Sequence, residues 1–245
     1  MLFADLPVFA LVSAIFFAAG IVKGVLGMGL PTVAMGLLGL LMPVPQAAGL
    51  LTIPSFVTNV WQAARGGGVA ALLRQLWPFL LAIAAGVAAA GAMAVHDDGV
   101  ARKLLGACLV AYGASGLAGW RMRPTPARAV APVGAVVGAL TGAVTGWTGV
   151  FVLPAVPWLQ SLGLDRNRLA QALGLSFTTS TVALAALLTA RGQWSLGASL
   201  QSALALAPAL AGMWAGQLLR EEMSEAVFRR VFFGGLVALG GWLLL

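Results

Sequence analysis

Lys23-Gly24-Val25-Leu26-Gly27-Met28-Gly29-Leu30-Pro31 lies in the middle of an apolar run from about residue 6 to 42, and how that run folds decides the architecture. A bilayer core takes about 20 consecutive helical residues, so a run this long must turn back on itself, as two crossings or as a re-entrant hairpin. The glycines and Pro31 mark the place. A second long run, 131 to 163, is broken in the same way by Gly142-Ala143-Val144-Thr145-Gly146-Trp147-Thr148-Gly149 and then Pro154. Between and after them come ordinary spans at about 47 to 64, 76 to 95, 101 to 119, 169 to 190, 198 to 219 and 227 to 245.

The two broken runs anchor an internal repeat. Arg65-Gly66 matches Arg191-Gly192 at a spacing that also superposes Thr52 on Thr178 and Ser55 on Thr181, and Arg102-Lys103 then meets Arg229-Arg230. The halves are 1–124 and 125–245, within one membrane domain. Charge tests how the broken runs fold, because loops on the cytoplasmic side collect Lys and Arg. If each broken run crosses once, the loop cations divide almost evenly. If each enters and leaves on one side, Arg65, Arg74, Arg121, Arg123, Arg128, Arg166, Arg168, Arg220, Arg229 and Arg230 share a side, against Arg102, Lys103 and Arg191. The folded-back arrangement therefore predicts a cell inner (plasma) membrane protein with both termini outside the cytoplasm. It also predicts an all-α fold of two inverted repeats, each a broken or re-entrant glycine-rich segment plus three transmembrane helices, about eight to ten segments in all. Inverted repeats are the architecture of secondary transporters.

Composition agrees and excludes other classes. The chain is 60% apolar and 9% charged, with a mean hydropathy of +0.97, where soluble domains are roughly one-quarter charged. Its net charge of +7 sits at span ends, where topology explains it, so no nucleic-acid partner is expected. One Cys and one His exclude a disulfide framework and a metal centre, and no cofactor is expected. The apolar stretch after Asp5 lacks the basic start of a cleaved signal and recurs in the repeat, so it reads as part of the mature protein. Gly134, Gly138, Gly142 and Gly146, like Gly20 with Gly24 and Gly212 with Gly216, form stripes for close helix packing. Trp61, Trp77, Trp120, Trp158, Trp194 and Trp242 read as interfacial anchors.

The candidate chemistry is that of a binding site for a small anionic substrate. Lys23 is the cation inside an apolar segment: near mid-bilayer if the first run is re-entrant, at a cytoplasmic turn if it crosses twice. Thr52, Ser55, Asn59 and Gln62 are spaced by three, four and three, on one helical face. The matching face in the second half carries Gln171, Thr178 and Thr181, with Ser176 beside it. Hydroxyls and amides bind an oxyanion without a permanent ion pair. The breaks add backbone N–H groups at Gly27 and Gly29, and hydroxyls at Thr145 and Thr148. Every Asp and Glu lies at a loop or terminus, which disfavours a cation carrier. Gly113-Ala114-Ser115-Gly116 has the form of an intramembrane serine-protease motif, with His96 as the base it would need, but His96 sits in a charged loop. No catalytic residue is assigned.

These residues resemble the TauE/SafE sulfite exporter family, also called the four-toluene-sulfonate uptake permease family, over nearly the whole chain. The likeness rests on Gly24-x-x-Gly27-x-Gly29-x-Pro31 and Gly146-x-x-Gly149 up to Pro154. It rests also on Ile53 to Gln62, on Gln171 to Phe177, and on Gly212-x-x-x-Gly216 through Phe228-Arg229-Arg230. The resemblance implies transport of sulfite, sulfonates or related sulfur oxyanions, often as export. Leu50-Leu51 stands where many members carry Thr-Ser, a departure that removes a hydroxyl contact. A carrier of another metabolite in the drug/metabolite style, an anion channel and an intramembrane hydrolase are the alternatives.

Overall fold

The computed structural model describes residues 6–65, 67–93, 97–222 and 224–245; Asp5 and His96, named above, lie outside them. The chain forms helices α1 (Leu6–Leu26), α2 (Leu30–Leu38), α3 (Val44–Ala64), α4 (Val69–Ala92) and α5 (Asp98–Leu117). After a 3-10 turn, α6 (Val130–Thr148), α7 (Ala155–Gln160), α8 (Arg166–Ala190), α9 (Leu196–Glu222) and α10 (Glu225–Leu244) repeat the order of one long helix, one short and three long. Among the described residues seven helices are long and apolar enough to cross a membrane, which makes this an all-α integral membrane protein. α3, with 21 residues, is as long as α1, but its Thr, Ser, Asn and Gln residues lower its hydropathy and leave it outside that set.

Both broken runs pair a full-length helix with a short one. α1, at 21 residues, is about 31 Å long, enough for a tilted crossing, so Lys23 stands in its last turn. Gly27 (φ 74) and Gly29 (φ 103) then take left-handed conformations that side-chain-bearing residues avoid. This lets the chain leave α1 and enter α2 within three residues. Pro31 sits in the first turn of α2, where its missing N–H costs nothing. The second run follows the same scheme: α6 ends on left-handed Gly149 (φ 68), and α7 has only six residues. The arrangement is neither a pair of full crossings nor an even-armed hairpin.

Helix pairing follows the glycines. Lipid gives helices no hydrophobic reason to associate, so close packing and hydrogen bonds decide the partners. A Cβ on Gly20 would lie 2.3 Å from the Ala209 carbonyl oxygen, and one on Gly24 2.3 Å from that of Met213. Gly212 and Gly216 approach Phe17 and Ile21 in return, so α1 and α9 lie backbone to backbone and run parallel. α4 and α6 do likewise: Gly138 faces Phe79, Gly142 faces Ile83, and Gly86 faces Ala139. α5 and α10 run antiparallel, with Gly106 against Gly240 and Gly113 against Phe233. α3 and α8 also run antiparallel, Gly174 against Asn59 and Ala63, tied by exchanged amides: Gln62 Nε2 donates to the Ala170 carbonyl and Gln171 Nε2 to that of Ala63.

Two sequence expectations are corrected. Trp158 is no interfacial anchor: it is fully buried, 4.7 Å centroid to centroid from Phe79 and in the notch left by Gly134. Arg74, Arg102, Lys103, Arg166, Arg168, Arg220, Arg229 and Arg230 are not in loops but on the end turns of α4, α5, α8, α9 and α10, because the helices reach beyond the apolar core of each span.

Candidate functional site

A cavity of about 740 Å³ opens where the C-terminal ends of α1, α3 and α9 meet the N-terminal end of α8. α1 supplies Lys23, Gly24 and, just past its end, Gly27; α3 supplies Thr58, Trp61, Gln62 and, just past its end, Arg65. Arg166, Asn167 and Ala170 come from α8, and Met213, Gln217 and Arg220 from α9. Among the described lining residues four are cations and none is a carboxylate. At close quarters and away from bulk water such a set favours an anion strongly.

Lys23 holds the inner end. Its side chain is 4% exposed; Nζ donates to Thr58 Oγ1 at 3.1 Å and to Asn59 Oδ1. Thr58 Oγ1 in turn donates to the Pro54 carbonyl at 2.7 Å. These partners are neutral, so the ammonium is hydrogen-bonded without being neutralised. An ammonium has three N–H donors, and two are used here. Asn59, fully buried, leaves its Nδ2 without a hydrogen bond among the described residues. Gly27 keeps the approach clear, since a Cβ there would meet nothing within 4 Å. At the mouth the Arg65 guanidinium lies 3.9 Å above the Trp61 ring, a geometry that fixes the charge while leaving its donors free.

Of the residues expected from sequence, Lys23, Gly27 and Gln62 line this cavity, and Asn59 touches it through Lys23. Ser55 and Thr52 are buried one and two turns earlier in α3; Thr52 donates to its own Ala48 carbonyl, while Ser55 Oγ has no partner among the described residues. Gly29 is packed under Val22 and Phe232. Thr145, Thr148, Thr178 and Thr181 each donate to a carbonyl of their own preceding turn, and Thr148 also receives the Val150 N–H to close the second break. Gln171 is committed to the helix clamp. Ser176 Oγ is buried and unpartnered among the described residues. Ser115 donates to the Tyr112 carbonyl.

Sequence reading missed Thr58, Trp61, Arg65, Arg166, Asn167, Gln217 and Arg220. Thr58 was available: it falls between Ser55 and Gln62 on the same face, three residues from one and four from the other. The arginines were counted as topology, and only the fold brings three helix ends together around them. At the opposite end of α3 a second cavity, about 550 Å³, is lined by Gln46, Gln193, Ser195, Gln201 and Asp98 among others.

A family model described as Sulfite exporter TauE/SafE matches residues 12–243. Comparison with curated proteins and with solved structures gave no match.

Proposed function

The chain belongs to the TauE/SafE sulfite exporter family, a family of membrane transporters, and on that premise we propose that it carries a small sulfur-containing anion through the cavity that ends on Lys23. Sulfite, a sulfonate or a related oxyanion is the substrate class, and export the direction the family's description favours. The observation that carries this reading is the buried Lys23 ammonium, held by neutral partners, at the base of a cavity with three arginines and no carboxylate among its described lining residues. An intramembrane ammonium is costly and marks a substrate pathway by default. An entering oxyanion takes the remaining Lys23 donor and the free Asn59 amide, with Gln62 and Thr58 beside it and Arg65, Arg166 and Arg220 drawing it in.

We read the halves 1–124 and 125–245 as inverted repeats. Helix directions support this. α1 runs parallel to α9 and its positional counterpart α6 runs parallel to α4, while α3 with α8 and α5 with α10, each helix paired with its own counterpart, run antiparallel. A two-fold axis in the membrane plane relates the halves in that pattern. The arginine-lined cavity then faces the cytoplasm and both termini the other side, in the inner membrane.

Flux of radiolabelled sulfite, with taurine and phosphate as comparators, into proteoliposomes tests the proposal. Lys23→Met abolishes sulfur-anion flux while leaving the protein folded; flux at the level of empty liposomes for the unmodified chain, or full flux in the variant, refutes it.

A further inference from the structure

A second basic cavity lies away from the proposed substrate path. It measures about 480 Å³ and forms between the C-terminal end of α5 and the first turns of α10, with Arg121, Arg229 and Arg230 around it and Gly116 and Phe233 at its base. No carboxylate is among its described lining residues. Gly116 is what makes the space possible, since a Cβ there would lie 2.4 Å from the Phe233 ring. The Arg229 guanidinium sits 5.7 Å from that ring's centroid. Ala226, in the first turn of α10, also lines the cavity, and Ser224 at the N-cap position gives that turn no side-chain hydrogen bond. Orphan N–H groups at a helix start favour a phosphate. Toward the bilayer, α10 continues as a lipid-type surface with Val227 54% and Val231 70% exposed.

A ligand that suits both parts has a phosphodiester head and apolar tails. We propose that this cavity is a headgroup site for an anionic phospholipid. Three guanidiniums with their fork of donors match phosphate oxygens, and basic pockets between helices at the membrane boundary are where such headgroups bind. Free inorganic phosphate shares the head chemistry but has no use for the exposed valine face.

The site also touches the first break. Phe233 packs 5.0 Å from Phe232 and 5.3 Å from Tyr112. The Phe232 ring lies 3.3 Å from where a Gly29 Cβ would be, and the Tyr112 hydroxyl donates to Met28 Sδ at 3.6 Å. A bound headgroup therefore braces the α5–α10 pair against Met28 and Gly29, five and six residues after Lys23. This part rests on the transport reading; binding itself does not.

The full chain purified in detergent separates the possibilities by thermal unfolding with added phosphatidylglycerol, phosphatidylcholine or inorganic phosphate. Phosphatidylglycerol raises the midpoint by several degrees and the other two do not. Arg229→Gln with Arg230→Gln, and Arg121→Gln alone, each weaken the phosphatidylglycerol effect by at least roughly five-fold per arginine in lipid concentration. Arg74→Gln, an exposed arginine outside the cavity, leaves it intact. Equal stabilisation by phosphatidylcholine or by phosphate, or an undiminished lipid response in the cavity variants, overturns the proposal. In proteoliposomes, wild-type flux at least doubles when phosphatidylglycerol is present, and the cavity variants lose that increment but keep basal flux. Zero flux in every membrane with the thermal response intact sinks the transport reading alone.

Discussion

Replacing Ser202 with alanine removes two hydrogen bonds at a point where α3 cannot make its own. Pro54, inside α3, has no N–H, so the Leu50 carbonyl four residues earlier loses its intrahelical partner. The Ser202 hydroxyl of α9 donates to that carbonyl at 2.7 Å and accepts the Ile53 N–H at 2.9 Å. Ser202 is fully buried, so no water replaces it. A buried polar group left unpaired costs about 1–3 kcal/mol in soluble proteins, while interhelical hydrogen bonds in a bilayer average about 0.6 and reach about 1.7 kcal/mol. Two lost together should therefore cost roughly 1–3 kcal/mol. Pro54→Ala supplies the decisive control, because it returns an N–H to the Leu50 carbonyl and makes the serine redundant there. Reversible unfolding in mixed micelles, measured for both single variants and the double, gives the coupling directly. Ser202→Ala should lose less than half as much stability in the Pro54→Ala background as in the wild type. The same loss in both backgrounds, or none in either, refutes the account.

Four other substitutions follow from the geometry. Gly142→Ala places a methyl 2.1 Å from the Ile83 carbonyl oxygen and, by forcing α4 from α6, should destabilise by at least about 2 kcal/mol; Gly234→Ala, with nothing within 4 Å, should be neutral or stabilising by about 0.5–1 kcal/mol in the same unfolding assay. Asn59→Asp puts a carboxylate against the Lys23 ammonium and neutralises it, which should raise the KM for the transported anion at least about tenfold at unchanged protein level. Gln171→Leu deletes one arm of the α3–α8 clamp, 3.1 Å long, and should cost about 1 kcal/mol with no change in KM, since Gln171 donates away from the cavity.

Hydropathy and the glycine punctuation made the helices and both breaks legible, because membrane burial requires long apolar runs and left-handed turns require glycine. They did not distinguish a crossing from a hairpin: the chain is non-helical at Met28 and Gly29 in one break and from Val150 to Val152 in the other, and the arms that follow, α2 and α7, are short. The polar stripe Thr52, Ser55, Asn59, Gln62 was readable as a buried face, yet which of its groups are free was not. Thr52 spends its hydroxyl on its own turn and Gln62 spends its amide on α8. Charge counting found the arginines but assigned them to topology, since sequence distance hides that Arg65, Arg166 and Arg220 close one cavity. Trp158 was misread because an aromatic near a span end looks like an anchor until Gly134 is seen to make room for it.

The interfaces differ in a way that bears on where the polar residues can stand. α1 with α9, and α4 with α6, meet glycine to backbone, and a polar side chain at such a contact would hold the helices apart. α3 and α8 instead meet through Gly174 at one turn and the paired amides of Gln62 and Gln171 next to it. Amide-to-carbonyl bonds satisfy one donor of each glutamine and leave neighbouring positions on the same faces polar at no extra cost in packing. Ser55, Asn59, Ser176 and Ser180 occupy those faces, each with a buried atom that has no hydrogen bond among the described residues. In a hydrocarbon environment such groups are retained only where something else repays them. α3 and α8 carry them, and α3 is also the helix that receives the Lys23 side chain. The tight glycine pairs therefore serve as the frame, and the looser amide-bridged pair is the part of the bundle that can present polar atoms to an anion.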